Sequence, residues 1–524
     1  MTHHYGDVVS TGARPAQPGP MISWPGTRPI VWAPHARTVD VVVVGPGVPE
    51  RHALRLVGAH KPGYWGGDTE MAYGTEFGWS IDGGTPLADP TGTWFPDGVT
   101  GLSRVLEPLA GWTDDAWHPP DVRTGVLLHL DVATATPAGT FDAAVGLLPR
   151  VAAAGVRGVE LAPVCAYDDV AGPEAGVRLF AVHEPLGGVV GLARFVDAAH
   201  AHGLAVVLTP PHRWAAGSRL GLDRFGPYAV DGRLNLAGSG NGGVRDWLTA
   251  DADRWFRELH VDGLSLDADA LAGRSGVPYV AELAAATVGV STDLGRPLTL
   301  FVDGPGRSDR LTRAVHRLLS PDGPPDPTAV DDLRQLSVLL TPAGRLSVRD
   351  DRRGRPGRHT AQHATGTVGT ITRLPGARRG MPWATPGEDA PPPDLDARAS
   401  LLAFAMLAGT PLVLDVDHLP VADESADAAR LRAWCATLAR ARAVALADLA
   451  LGLDLRSHGT TLLARRGASV LALAWTAAPA SVPLDEVLPG RAWQLRAAWS
   501  PQARVVGNRL QLPGRTTAVL RARG

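Results

Sequence analysis

Two cysteines in 524 residues, a nearly balanced charge and the absence of any long apolar run set the first limits on this chain. Cys165 and Cys435 each stand in an apolar context, which reads as buried free thiols rather than a disulfide or metal pair. A reducing, cytoplasmic compartment is the matching expectation. The formal net charge of -3 gives no basic field for nucleic acid or an anionic membrane, so neither partner is expected. No stretch approaches the roughly 18 apolar residues of a membrane span, and Met1-Thr-His-His-Tyr-Gly6 lacks the basic-then-apolar order of a secretion signal. Cys/His metal spacings, a glycine-rich loop placed for a nucleotide and a Gly-x-Ser-x-Gly elbow are also missing, so the expectation is no cofactor and no metal.

Hydrophobic residues at 45% and charged residues at 20% describe an ordinary globular chain, long enough for several domains. Residues 1–22, rich in Gly, Pro and Ala, read as a disordered lead-in. From 23 to 118 short alternating strands, such as Thr38-Val-Asp-Val-Val-Val-Val44 and Gly74-Thr-Glu-Phe-Gly-Trp-Ser-Ile81, predict a β-sandwich. Its Tyr64, Trp65, Trp79 and Trp94 read as core residues, with a sugar-stacking platform as the alternative.

After Pro119-Pro120 the period changes. Apolar strands at Val126–Asp131, Gly158–Pro163, Leu204–Leu208, Asp262–Leu266, Leu298–Val302 and Pro411–Leu414 alternate with helical segments at Thr140–Ala152, Leu192–His202, Val244–Leu259 and Val280–Val288. Repeated β-then-α units predict an α/β fold, a (β/α)8 TIM barrel over 119–450, and a return to period two predicts a C-terminal β-sandwich over 451–524. Arg349–Arg358 reads as a surface loop, with a phosphate or partner patch as the alternative. Two stretches organise the barrel: Gly203–Trp214, and His260-Val-Asp-Gly-Leu-Ser-Leu-Asp-Ala-Asp269. Each is an apolar strand that ends in polar residues able to do chemistry.

Val31-Trp-Ala-Pro34, Asp89-Pro90, Trp94-Phe-Pro-Asp-Gly-Val99, Thr136-Pro-Ala-Gly-Thr-Phe-Asp142, Gly158-Val-Glu-Leu-Ala-Pro-Val164, Arg224-Phe-Gly-Pro-Tyr228, His260-Val-Asp-Gly-Leu264 and Leu407-Ala-Gly-Thr-Pro411 together carry a resemblance. The chain resembles the malto-oligosyltrehalose trehalohydrolase family of the α-amylase superfamily (glycoside hydrolase family 13). That resemblance implies an immunoglobulin-like first domain of carbohydrate-binding type. It also implies retaining cleavage of the α-1,4 bond beside a trehalose end, with two carboxyl groups about 5 to 5.5 Å apart.

Carried over residue by residue, the resemblance gives Asp267 as the nucleophile and Asp303 as the acid, one methylene shorter than the family's Glu. His212, Trp214 and Asp269 are the implied substrate-binding candidates. The family's arginine two residues before the nucleophile is Ser265 here, and its histidine three residues after is Ala270. Thr209-Pro-Pro-His-Arg-Trp214 replaces the third-strand signature, Thr367–Pro375 lacks the Asn-His-Asp of the seventh strand, and Glu174 stands nearest a lost aromatic. Members of such a site act as a unit, so several losses together predict a degenerate catalyst. The leading expectation is a pseudoenzyme in the sense of lost or very low hydrolysis, binding a malto-oligosaccharide or trehalose-type ligand or a partner enzyme of the same pathway. The alternatives are an active hydrolase whose acid is Asp303 or Glu282, and an interaction protein that never meets sugar.

Overall fold

The computed structural model describes residues 29–45, 48–57, 62–122, 125–236, 242–271, 279–303, 368–370, 372–374, 394–407, 412–416, 419–445, 454–474 and 476–523. The expected lead-in and the Arg349–Arg358 loop lie outside them, as do Thr367, Ile371 and Pro375 of the Thr367–Pro375 stretch.

Apolar segments bounded by Gly and Pro form the central sheet. Its strands are Val126–Leu130, Gly158–Leu161, Ala205–Leu208, Gly263–Asp267, Thr299–Asp303, Val368–Thr370, Thr372–Leu374 and Leu412–Asp415. Every pairing in it is parallel, and Leu412–Asp415 pairs with Val126–Leu130. The two strands at the ends of the sheet order, Val368–Thr370 and Thr372–Leu374, are separated by a single residue. This curled parallel sheet agrees with a TIM-type barrel, whose strands are buried on both faces and so read as continuous apolar runs.

At Gly158 an added Cβ would stand 2.3 Å from the Ala205 carbonyl oxygen of the neighbouring strand. Backbone cannot yield there. Gly158→Ala is expected to cost about 1–3 kcal/mol in a urea titration, and an unchanged midpoint would contradict this packing.

The helix Gly188–Ala201 buries Val189, Leu192, Phe195, Val196 and Ala199, a stripe at helical spacing. It starts before the expected Leu192, because Gly187 at φ 110 turns the chain and the helix follows at once. Tyr279–Leu294 also outruns the expected Val280–Val288: the Thr292 hydroxyl donates to the Val288 carbonyl and the Ser291 hydroxyl to that of Arg296, which absorbs its polar end. Trp247, Trp255 and Phe256 of the helix Gly242–Arg257 are buried.

At the N-terminal end two antiparallel sheets form, one of Ile30–Trp32, Tyr64–Gly66 and Arg55–Leu56, the other built around Val39–Val44 and Glu76–Ile81. Trp79, Trp65 and Tyr64 are buried, and only Trp94 is half-exposed, under the Arg104 guanidinium. The Tyr64 hydroxyl donates to Asp246 and the Trp247 indole N–H to the Pro90 carbonyl, so this unit docks on the helix Gly242–Arg257. Residues after 453 form a five-stranded and a three-stranded antiparallel sheet, and one buried cluster draws on both, with Val470, Leu520, Val482 and Leu510 among its members. Among the described residues no helix is long and apolar enough to cross a membrane.

Candidate active site at the carboxyl ends of the strands

Parallel register brings polar strand ends together. Gly263–Asp267 pairs residue for residue with Thr299–Asp303, so Asp267 and Asp303 are direct partners on adjacent strands, at the strand spacing of about 4.8 Å. Backbone alone thus sets the two candidate acids side by side. The Asp303 side chain lies outside the described residues, as does that of Asp269, which falls on the short helix Ala268–Leu271.

After Leu208 the chain runs through Pro210-Pro211 into the single turn His212–Trp214. Two prolines hold the exit rigid, and the turn packs against the end of the Gly263–Asp267 strand, the Ala268–Leu271 helix and the Pro173–Ala175 turn that carries Glu174. Arg213 donates from Nε and Nη2 to Asp267 Oδ2 at 3.2 and 2.9 Å. Asp267 Oδ1 accepts from the Ala270 backbone N–H at 3.1 Å. Ser265, in the place of the family's arginine, is buried on the strand. The expected loss of a guanidinium beside Asp267 is therefore corrected: one arrives from the neighbouring strand's loop.

His212 is 3% exposed and its Nδ1, like the nearby Thr209 hydroxyl, is buried without a hydrogen-bond partner among the described residues. Burial pushes the imidazole pKa down to about 4 against the opposing pull of the Asp267 charge, which leaves the ring neutral at pH 7. Trp214 is half-buried against the main core.

A second polar group, which the sequence reading passed over, lies across the sheet. His129 is the register partner of both Glu160 and Asp415, and its Nδ1 lies 3.0 Å from the fully buried Glu160 carboxylate. Asp131, one residue past the strand end, caps the turn at Ala133, and burial holds its carboxyl above the ordinary range with the Asp415 charge adding to it. Tyr167 stacks on His183 at 4.2 Å, and His183 Nε2 reaches Asp169 at 3.0 Å. A lone His in Val126-Leu-Leu-His-Leu130 and a lone Glu in Gly158-Val-Glu-Leu161 were the available signs. Cys165 and Cys435 are both buried and unbridged, and burial pushes each thiol up. Among the described residues no group of three or more His, Cys, Asp or Glu side chains is arranged to hold a metal ion.

No family model matches the chain. It is 38% identical over 301 residues to a malto-oligosyltrehalose trehalohydrolase of Arthrobacter ramosus, covering 55% of this chain and 52% of that one. A trehalohydrolase of the same description from Rhizobium sp. is 36% identical over 296 residues, covering 54% and 49%. The chain resembles malto-oligosyltrehalose trehalohydrolases. It spans about half the length of the curated relatives it matches. In fold, the chain matches a structure from Salmonella typhimurium assigned to the α-amylases, with a TM-score of 0.68 at 19% identity over 94% of this chain and 97% of that one. A maltotriose complex of a Klebsiella pneumoniae protein matches with a TM-score of 0.66 at 14% identity, over 95% and 82%.

Proposed function

We propose that this is a trehalohydrolase-like protein of α-glucan and trehalose metabolism whose hydrolytic activity is lost or very low. In this reading its barrel end binds a malto-oligosaccharide or trehalose-type ligand or a pathway partner, and the sheets at either end form β-sandwich domains over 23–118 and 451–524. The supporting observation is the strand-end pair Asp267 and Asp303, in register. A carboxyl one methylene short in the donor position cannot reach the leaving oxygen as a glutamate would. General acid catalysis contributes on the order of 100-fold to 10,000-fold, and trehalose release from maltooligosyltrehalose is expected to fall by at least that span.

Purified protein, assayed for trehalose alongside calorimetry against trehalose and the maltose series, tests the reading. Binding without turnover supports it. Ordinary enzyme rates that vanish on Asp267→Ala would refute it, and calorimetric silence across the series would favour a non-sugar interaction protein.

The Arg213 contact favours a second reading, a retaining hydrolase with Asp303 as its acid. Glu282, the other candidate acid, is paired with Arg245 of the adjacent helix, a charge that opposes its holding a proton. Asp303→Glu would then raise the rate by restoring the missing reach.

A further inference from the structure

We infer that Arg213 is the positioning residue for Asp267, supplying from the loop after the Ala205–Leu208 strand the guanidinium that Ser265 cannot, and that the nucleophilic half of the retaining reaction therefore survives. This rests on the reading that the barrel end meets an α-glucan. Three observations carry it. Arg213 places two N–H donors on one Asp267 oxygen while the Ala270 N–H holds the other, which fixes the carboxylate plane. The Ala205–Leu208 and Gly263–Asp267 strands are register partners, so their ends are neighbours and the contact needs no long reach. Arg213 hangs from a proline-rigid turn with its side chain 60% exposed, while Asp267 is 31% exposed, so the pair faces the open end of the sheet rather than the core.

A nucleophile without a proton donor still reacts with a substrate whose leaving group needs no proton. With α-maltosyl fluoride, an Asp267 carboxylate oxygen attacks the anomeric carbon and the C–F bond breaks. The bonding pair leaves with fluoride, and the negative charge passes from carboxylate to fluoride. The product is a maltosyl ester on Asp267. Its hydrolysis needs a base that activates water, so the ester accumulates.

Intact-mass analysis of the full chain after α-maltosyl fluoride treatment is expected to show a gain of one maltosyl unit, mapped to Asp267 and absent from Asp267→Asn. Arg213→Ala is expected to slow labelling on the order of 100-fold, with an unchanged melting curve. Added methylguanidinium, or Arg213→Lys, is expected to restore part of it, which a merely structural side chain would not allow. Labelling of Arg213→Ala within twofold of wild type overturns the inference, and so does a loss that neither rescue relieves. Wild type that binds maltotriose by calorimetry yet is never labelled overturns it while leaving the sugar-binding reading intact. Absence of both binding and labelling removes both.

Discussion

Replacing Asp262 by alanine is expected to lower stability by about 3–5 kcal/mol, the cost of leaving buried charges without their counter-charge. Asp262 is 1% exposed. Its Oδ1 accepts from Trp117 Nε1 at 2.9 Å and Arg296 Nη1 at 2.6 Å, and its Oδ2 from the Val206 N–H at 2.8 Å with His200 Nε2 at 3.0 Å. His200 turns its other nitrogen to Asp114 at 2.7 Å, and Asp114 also holds His260 at 2.8 Å. Both rings are covered by indoles, His200 by Trp117 at 4.3 Å and His260 by Trp112 at 3.9 Å. Burial raises the Asp114 carboxyl, but the hydrogen bonds and charges of His260 and His200 outweigh it and hold the group below the ordinary range.

The cluster clamps the segment 112–117, which leads from the N-terminal sheets into the barrel, against the starts of the Ala205–Leu208 and Gly263–Asp267 strands. Asp262→Ala strands Arg296 and His200 in a buried cluster. Urea titration reads the loss, and the pair Asp262→Ala with Arg296→Met should recover part of it, because removing both charges avoids the unpaired one. A change under about 1 kcal/mol would mean that solvent reaches the cluster. Since it lies at the opposite strand ends from Asp267, ligand binding by the folded variant should be unaltered.

The parallel sheet was legible because its signals are local. Continuous apolar strands such as Ala205–Leu208 and the anchors Trp247, Trp255 and Phe256 each declare themselves within a few residues, and the parallel order follows from their alternation. Helix starts were less legible, since Gly187 at φ 110 turns the chain straight into the helix, ahead of the expected Leu192.

The site was legible only along single strands. Asp267 and Asp303 each stand out as a strand-end acid within its own segment, and Ser265 is visibly short. That Arg213 reaches Asp267 depends on which strands are neighbours and in what register, which no window of sequence contains. The same holds for the clamp, whose Asp114, His200, Asp262 and Arg296 come from four separate segments.

Acidification from about pH 6.5 to about pH 4 is expected to cost wild type about 3 kcal/mol more than it costs His212→Phe. His212 has an ordinary value of 6.5, and burial lowers it to about 4 in the folded protein, with the Asp267 charge opposing. Between those values the unfolded chain binds a proton that the folded chain refuses, so this contribution is intact above the unfolded value and is lost as pH falls. Asp251 works the other way. Burial lifts its carboxyl from 3.8 to about 7 against its bond from Trp255, so the folded state binds the extra proton and gains stability as pH falls through the same range. The two slopes oppose each other in wild type, and only the difference between the variants isolates the imidazole. Urea titrations of both proteins at about pH 8, 6 and 4.5 measure that difference, and parallel curves would show that His212 is protonated in place. A neutral His212 leaves Arg213 as the cation paired with Asp267 at neutral pH, so the same titration also tests which side chain balances that carboxylate.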